Sequence, residues 1–344
     1  MTSLGTEQKA KLLEIGEIFI PREIDMPCFA SRSTAGPDAG SSAHAFEFNG
    51  TRVKIAVTKN PDARLKLARS NGDFQISLDG EVFIAHARVL HLIAHAPNQA
   101  FMNLASECIM GCAFCAMSYP TSKPVVSMEP ERLMKIISIS SRHPSFEAVA
   151  ITSGIPVSVK ETTVAMIEMV KQIRVQYPEI PIGVEPYIED LEDIQRFKDA
   201  GANEMKINIE TWPPALFARI CPNRDRDMIL AALEESVKIF GKGKVMSNFI
   251  IGLGESEEEL YEGLAALSKM GVVPNVRGIR LGPLNREKLE KALGKAPAKV
   301  PAEKLIEIGK KHREILEMND LDTATFSTMC FTCKCCDLIP MVDL

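Results

Sequence analysis

The chain has 344 residues, 46% hydrophobic and 25% charged, with a net charge of −5 and a pI near 5.8. That is enough apolar material for a large α/β core. It lacks the basic excess of a nucleic-acid surface, and no uninterrupted apolar run reaches the roughly 18 residues a membrane span needs. The first ten residues lack the basic-then-apolar shape of a signal peptide, so a cytoplasmic protein is expected. In that setting nine cysteines point to metal rather than to disulfides.

Residues 1–95 read as an N-terminal α+β extension. Glu7 to Ile15 patterns as a short helix stopped by Gly16. Ser31 to Ala45 is rich in Ser, Gly, Ala and Pro and reads as a loop. Strand-like runs follow at Phe46–Phe48, Val53–Val57, Phe74–Leu78 and Val82–Ala85, with Asp79-Gly80 as a hairpin signal. From Gln99 onward strand-like and helix-like segments alternate, the signature of a parallel sheet with crossover helices. Expected strands are Gln99–Leu104, Ala148–Thr152, Ile182–Glu185, Met205–Glu210, Val245–Ile251, Val276–Leu281 and a last one at Thr323–Thr328. Ser158 to Glu161 opens a helix as a capping box, with Val164, Ile167, Met169, Val170 and Ile173 as its apolar stripe. Ser256 to Glu259 caps another, and Pro301 to Met318 is a long amphipathic helix. The fold class is a TIM-type (βα) barrel, full or partial, over residues 96–328, with a C-terminal segment at 329–344. Active sites in such barrels sit at the C-terminal ends of the strands.

Just past the strand Gln99–Leu104 lies Cys108-Ile-Met-Gly-Cys112-Ala-Phe-Cys115, three thiols in a C-x3-C-x2-C pattern. Three cysteines are one short of the usual ligand set of an iron–sulfur cluster. A structural zinc site would want a fourth N or S ligand. A second group, Cys330, Cys333, Cys335 and Cys336, follows the last expected strand. It reads either as a zinc knot or metal-trafficking tail, or as a second, auxiliary iron–sulfur site on the active-site face, with Cys28 or a non-cysteine group completing the shell. Cys221, in an amphipathic segment, reads as a packed thiol.

The C-x3-C-x2-C spacing, with Phe114 before its last cysteine, resembles the radical SAM superfamily. Lys206–Thr211 and Phe249–Glu255 extend the resemblance to the biotin-synthase-like branch, including the archaeal two-protein lipoyl synthases. The resemblance implies that Cys108, Cys112 and Cys115 hold a [4Fe–4S] cluster whose open iron is chelated by S-adenosylmethionine (SAM). Reductive cleavage of SAM then gives a 5′-deoxyadenosyl radical. It implies an electron donor such as ferredoxin or flavodoxin, an acylated carrier protein and a second radical SAM subunit as partners. It places SAM contacts at Ser153 and Gly154, where an acidic turn residue of the family is missing, at Glu185, at Asn208 and Glu210 on one strand face, and at Arg224 or Arg226. Ile251, Gly252 and Gly254 would approach adenine, and Arg277 and Arg280 would meet an acidic substrate end or the auxiliary cluster. The expected reaction is sulfur insertion at an unactivated C–H position, of the lipoyl-synthase type on a carrier-bound octanoyl group. The rivals are a carbon-skeleton rearrangement or cofactor-assembly step, of the methylornithine synthase or hydrogenase-maturation type, and a non-catalytic iron–sulfur or metal carrier.

Overall fold

The computed structural model describes residues 2–70, 72–118 and 129–344. Helix α1 (Leu4–Ile15) starts earlier than its apolar period suggests, because the Ser3 hydroxyl accepts from the Thr6 N–H and caps it. Seven strands follow: β1 (Glu17–Phe19), β2 (Ser31–Arg32), β3 (Ser42–Phe48), β4 (Thr51–Thr58), β5 (Leu65–Ser70), β6 (Asp73–Leu78) and β7 (Glu81–Leu90). They form one sheet in the order β2-β3-β4-β1-β5-β6-β7, and a further β3–β7 pairing closes it on itself. Leu12, Ile18, Phe46, Val53, Leu67 and Ile84 fill its interior. The expected loop at Ser31 to Ala45 is therefore partly strand. The small Ala43 and Ala45 are buried in β3, and residues of that size give little hydrophobic signal in a sequence.

The second sheet has six strands: β8 (Gln99–Asn103), β9 (Ala148–Thr152), β10 (Ile182–Glu185), β11 (Glu204–Lys206), β12 (Val245–Ile251) and β13 (Val272–Gly278). All neighbours are parallel and in sequence order, with β8 and β13 at the edges. Helices α2 (Pro130–Ser140), α3 (Val159–Gln176), α4 (Glu192–Ala200), α5 (Pro214–Ile220), α6 (Arg226–Phe240) and α7 (Glu257–Met270) connect them. The barrel thus takes its partial form. The caps are where the sequence puts them: Ser158 accepts from Glu161 N, and Ser256 with Glu259 completes a reciprocal capping box. On α3 the buried stripe uses Met166 in place of Val164, which is 46% exposed.

Strand alternation assigns the two faces. Val149, Ile151, Val184, Ile207, Phe249 and Ile251 are buried in the cluster shared with the helices. The opposite face is layered. At its lower end Ala150, Met246 and Val273 pack against Leu316, Phe326 and Met329 of the C-terminal region. That region comprises α8 (Arg286–Leu293), α9 (Ala302–Met318), α10 (Met329–Cys333) and α11 (Pro340–Asp343). Gly183 permits this plug: a Cβ there would fall 2.2 Å from Thr328 Oγ1. The expected strand at Thr323–Thr328 is instead a 3-10 turn at Thr323–Thr325 followed by extended chain. Its donors are taken by side chains rather than by a ladder. Ser327 N and Thr328 N donate to Glu204, and Met329 N donates to Gln99 Oε1.

Candidate active site

Above the plug, at the C-terminal ends of β8–β13, lies a cavity of about 250 Å³. Cys108, Cys112 and Cys115 all line it. Their loop is pinned at several points: Ile109 N donates to Ile155 O at 2.8 Å, Ala113 N to Ile220 O at 2.8 Å, and Asn285 Nδ2 to Phe114 O at 2.7 Å. Gly154 lets the loop pass close to the end of β9, since a Cβ there would sit 2.2 Å from Glu107 O. Burial pushes the Cys115 thiol up to about 12 and raises Cys108. A hydrogen bond with the Cys221 thiol holds Cys112 below its usual value. Cys221 is thus a packed thiol, as expected, and it sits beside the Cys108–Cys115 loop.

The cavity also carries a polar cluster. Asn208 Nδ2 donates to Glu185 Oε1 at 2.7 Å, and Asn208 Oδ1 accepts from Asn248 N at 3.0 Å. Arg224 donates to Asn208 O at 2.5 Å and to Glu210 Oε1 at 3.3 Å, with its guanidinium over the Tyr187 ring. Glu210 is a non-glycine residue at φ 63°, backbone strain of a kind that clusters at functional sites. Its Oε2 is buried without a hydrogen-bond partner. Burial raises its pKa, against the opposing pull of Arg224.

Residues 102–267 match the model of the radical SAM superfamily. The chain contains a radical SAM domain. Its curated relatives include the lipoyl synthase of Picrophilus torridus, 27% identical over 56% of this chain and 70% of that protein. The lipoyl synthase of Chloroflexus aggregans is 25% identical over 53% of this chain and 59% of that protein. The bacteriochlorophyllide c C-7(1)-hydroxylase of Chlorobaculum limnaeum is 32% identical over 26% of this chain and 23% of that protein. Against most of these relatives the match spans about 60% of their length or less. Among solved structures, methylornithine synthase superposes with a TM-score of 0.52 at 17% identity, covering 64% of this chain and 62% of that one. That likeness carries the fold alone.

A radical SAM domain implies a [4Fe–4S] cluster and SAM, and the residues present fit both. Three thiols line one cavity with no fourth cysteine on their loop. Among the described residues no three Cys, His, Asp or Glu side chains converge tightly enough for a single ion, and a four-iron cluster needs its thiols held farther apart than one ion does. Arg224 suits a carboxylate, and the orphan Glu210 Oε2 suits an ammonium or a hydroxyl.

Of the expected contacts in this radical SAM domain, Ser153, Gly154, Glu185, Asn208, Glu210 and Arg224 line the cavity. Arg226 does not: it donates to Trp212 O and stacks on the Trp212 ring. Ile251 points outward into the helix-packed core. Gly252 faces Val300, which a Cβ would approach to 2.8 Å. The strand's inward residues are instead Asn248 and Ile250, one register step away. Arg277 and Arg280 both line the cavity, paired with Asp337 at 2.7 Å and with Asp38.

The tail cysteines divide. Cys330 and Cys336 line the same cavity as the first group, whereas Cys333 and Cys335 are buried behind them among Ala45, Leu90 and Ala96. Cys335 donates to Cys333 O, and Cys28 to Leu90 O at 3.6 Å, away from the cavity. Cys330 Sγ lies 3.5 Å from Lys206 Nζ and 3.8 Å from an Arg277 nitrogen. Lys54 and His95 also line the cavity. No local motif marks either one: Lys54 comes from β4 of the N-terminal sheet, and His95 from the segment between β7 and β8, bridged to Ala100.

Proposed function

We propose that this radical SAM protein inserts sulfur at an unactivated C–H position of an acyl chain, with a carrier-bound octanoyl group as substrate. In this reading Cys108, Cys112 and Cys115 hold the SAM-binding cluster, and the tail cysteines Cys330, Cys333, Cys335 and Cys336 provide the ligands of a second iron–sulfur site that supplies the sulfur. The observation that carries the proposal is that both cysteine groups open onto one cavity at the strand ends. A sulfur donor has to stand within reach of the carbon that loses hydrogen, and a separate electron-relay site has no such need. Similarity to lipoyl synthases of several organisms supports the substrate class.

The bound cluster and SAM supply hydrogen-atom abstraction; the protein supplies position. Arg224 holds the SAM carboxylate while Glu210 and Asn208 take its ammonium and hydroxyl groups. Glu185 anchors Asn208 and Lys206 at once, since Lys206 Nζ lies 3.1 Å from its Oε1. Lys206 and Arg277 stand beside Cys330, their nitrogens 3.5 Å and 3.8 Å from its sulfur, and bring positive charge to the second site. An electron donor of the ferredoxin or flavodoxin class, and a second radical SAM subunit, complete the system.

The test is reconstitution with isotopically labelled sulfide and an octanoylated carrier. Label should leave the protein and appear in a thiolated acyl product. A variant with Cys330, Cys333, Cys335 and Cys336 all changed to Ala should still cleave SAM and give no thiolated product. Label-free product, or full thiolation by that variant, contradicts the proposal.

A further inference from the structure

The charged groups around the cavity can be paired off. Lys206 meets Glu185, Arg224 meets Glu210, Arg277 meets Asp337 and Arg280 meets Asp38. Among the described residues Lys54 has no carboxylate partner, yet it is only 9% exposed. Its ammonium is held by His95, 2.8 Å from Nε2 and 3.1 Å from the backbone oxygen. Burial, and then Lys54 itself, push the His95 pKa well down, so the ring is a neutral acceptor and not a counter-charge. His95 is held at φ 74°. A buried cation without an anion is costly, so an anion belongs beside it.

Among the described residues the cavity's carboxylates are already paired with other cations, and the remaining groups the fold brings here that can carry negative charge are the tail sulfurs. The backbone N–H of Lys54 donates to Cys335 O at 2.8 Å, which ties β4 of the N-terminal sheet directly to the tail. Lys54, Cys330 and Cys336 line the same cavity. Arg280 donates to Cys336 O at 2.9 Å, and Lys9 donates to Lys334 O at 2.9 Å. Asp38 also feels Lys54, but Arg280 engages it.

We propose that Lys54 is the counter-charge of the C-terminal cysteine site: a positioning residue, supplied by the N-terminal sheet, that sets the charge and the reduction potential of the metal group held by the tail cysteines. The N-terminal sheet is then a working part of the second metal site and not an appended domain. The inference rests on the reading of the tail as an iron–sulfur site. Net charge near a cluster is one of the levers that set its potential, a nearby cation favouring the reduced, more negative form.

The experiment uses full-length protein, loaded anaerobically with ferrous iron and sulfide, as wild type, Lys54→Gln and Lys54→Arg. Gln keeps a hydrogen bond to His95 and removes only the charge. Potentiometric titration followed by electron paramagnetic resonance should find the SAM-responsive cluster unmoved in all three. In Lys54→Gln the second cluster should be at least tenfold harder to reduce, a shift of about 59 mV to more negative potential. Lys54→Arg should lie within threefold of wild type. A Lys54→Gln protein whose two clusters both match wild type overturns the proposal alone. A wild type that assembles only one cluster overturns the proposal and the underlying reading together. Should Lys54→Gln fail to fold, Lys54→Met tests the same charge, and there too an unshifted second potential overturns the proposal.

Discussion

Glu204 is the anchor that places the C-terminal cysteines, and its removal has a calculable cost. Its carboxylate is 1% exposed and accepts from Ser327 N at 2.7 Å, Thr328 N at 2.9 Å and Thr328 Oγ1 at 2.6 Å. Lys244 adds an ion pair at 3.4 Å. Glu204→Ala leaves two backbone N–H groups without an acceptor, at about 1–3 kcal/mol each when buried. The Ser327 side is only partly buried, so water can recover some of this, and a net loss of about 2–4 kcal/mol is expected. Urea unfolding followed by circular dichroism measures it as a lower midpoint at unchanged slope. Because Cys330 lies two residues beyond Thr328, iron at the second site should fall while iron at the first site is retained. A loss below about 0.5 kcal/mol, with second-site iron intact, would refute the view that this carboxylate holds the tail in the barrel.

Gly154→Ala should cost about 1–3 kcal/mol and lower iron at the first site, because its Cβ would meet two backbone oxygens, Glu107 O at 2.2 Å and Ala105 O at 2.9 Å. Gly278→Ala, whose nearest neighbour would be 3.4 Å away, is the control and should be close to neutral in the same assays. Glu210→Gln removes the acid partner of Arg224 and should weaken SAM binding about tenfold, near 1.4 kcal/mol, by equilibrium dialysis on cluster-loaded protein. His312 is buried and its pKa is pushed down to about 3 by loss of hydration. The unfolded chain takes up its proton near pH 6.5 and the folded chain does not, so stability falls as pH drops below that value. Relative to His312→Phe, wild type should lose about 2 kcal/mol between pH 7.5 and pH 5. A pH-independent difference would show that the ring is not held neutral.

The barrel was legible because its strands carry continuous apolar runs and its helices carry capping residues, both local signals. Cys108, Cys112 and Cys115 were legible from spacing, and Asn208 and Glu210 from period-two alternation. The same alternation on β12 would have selected Asn248 and Ile250; the Gly-x-Gly pattern drew attention to Ile251 and Gly252, which lie on the opposite face. Thr323–Thr328 has strand-like composition, yet Glu204, more than a hundred residues away, claims the donors of Ser327 and Thr328, and Gln99 claims that of the next residue, Met329. Lys54 is a site residue only through the packing of the N-terminal sheet on the barrel, and His95 through the connection between them; no local pattern encodes either.

The central claim is that Cys108, Cys112 and Cys115 hold a cluster with one iron open to SAM, in a cavity shared with a second iron–sulfur site. Electron paramagnetic resonance of the anaerobically loaded, reduced protein, with and without SAM, tests it most directly. Two cluster signals should appear, SAM should change one of them, and Cys112→Ala should abolish that one alone. A single cluster, or signals indifferent to SAM, would contradict the account.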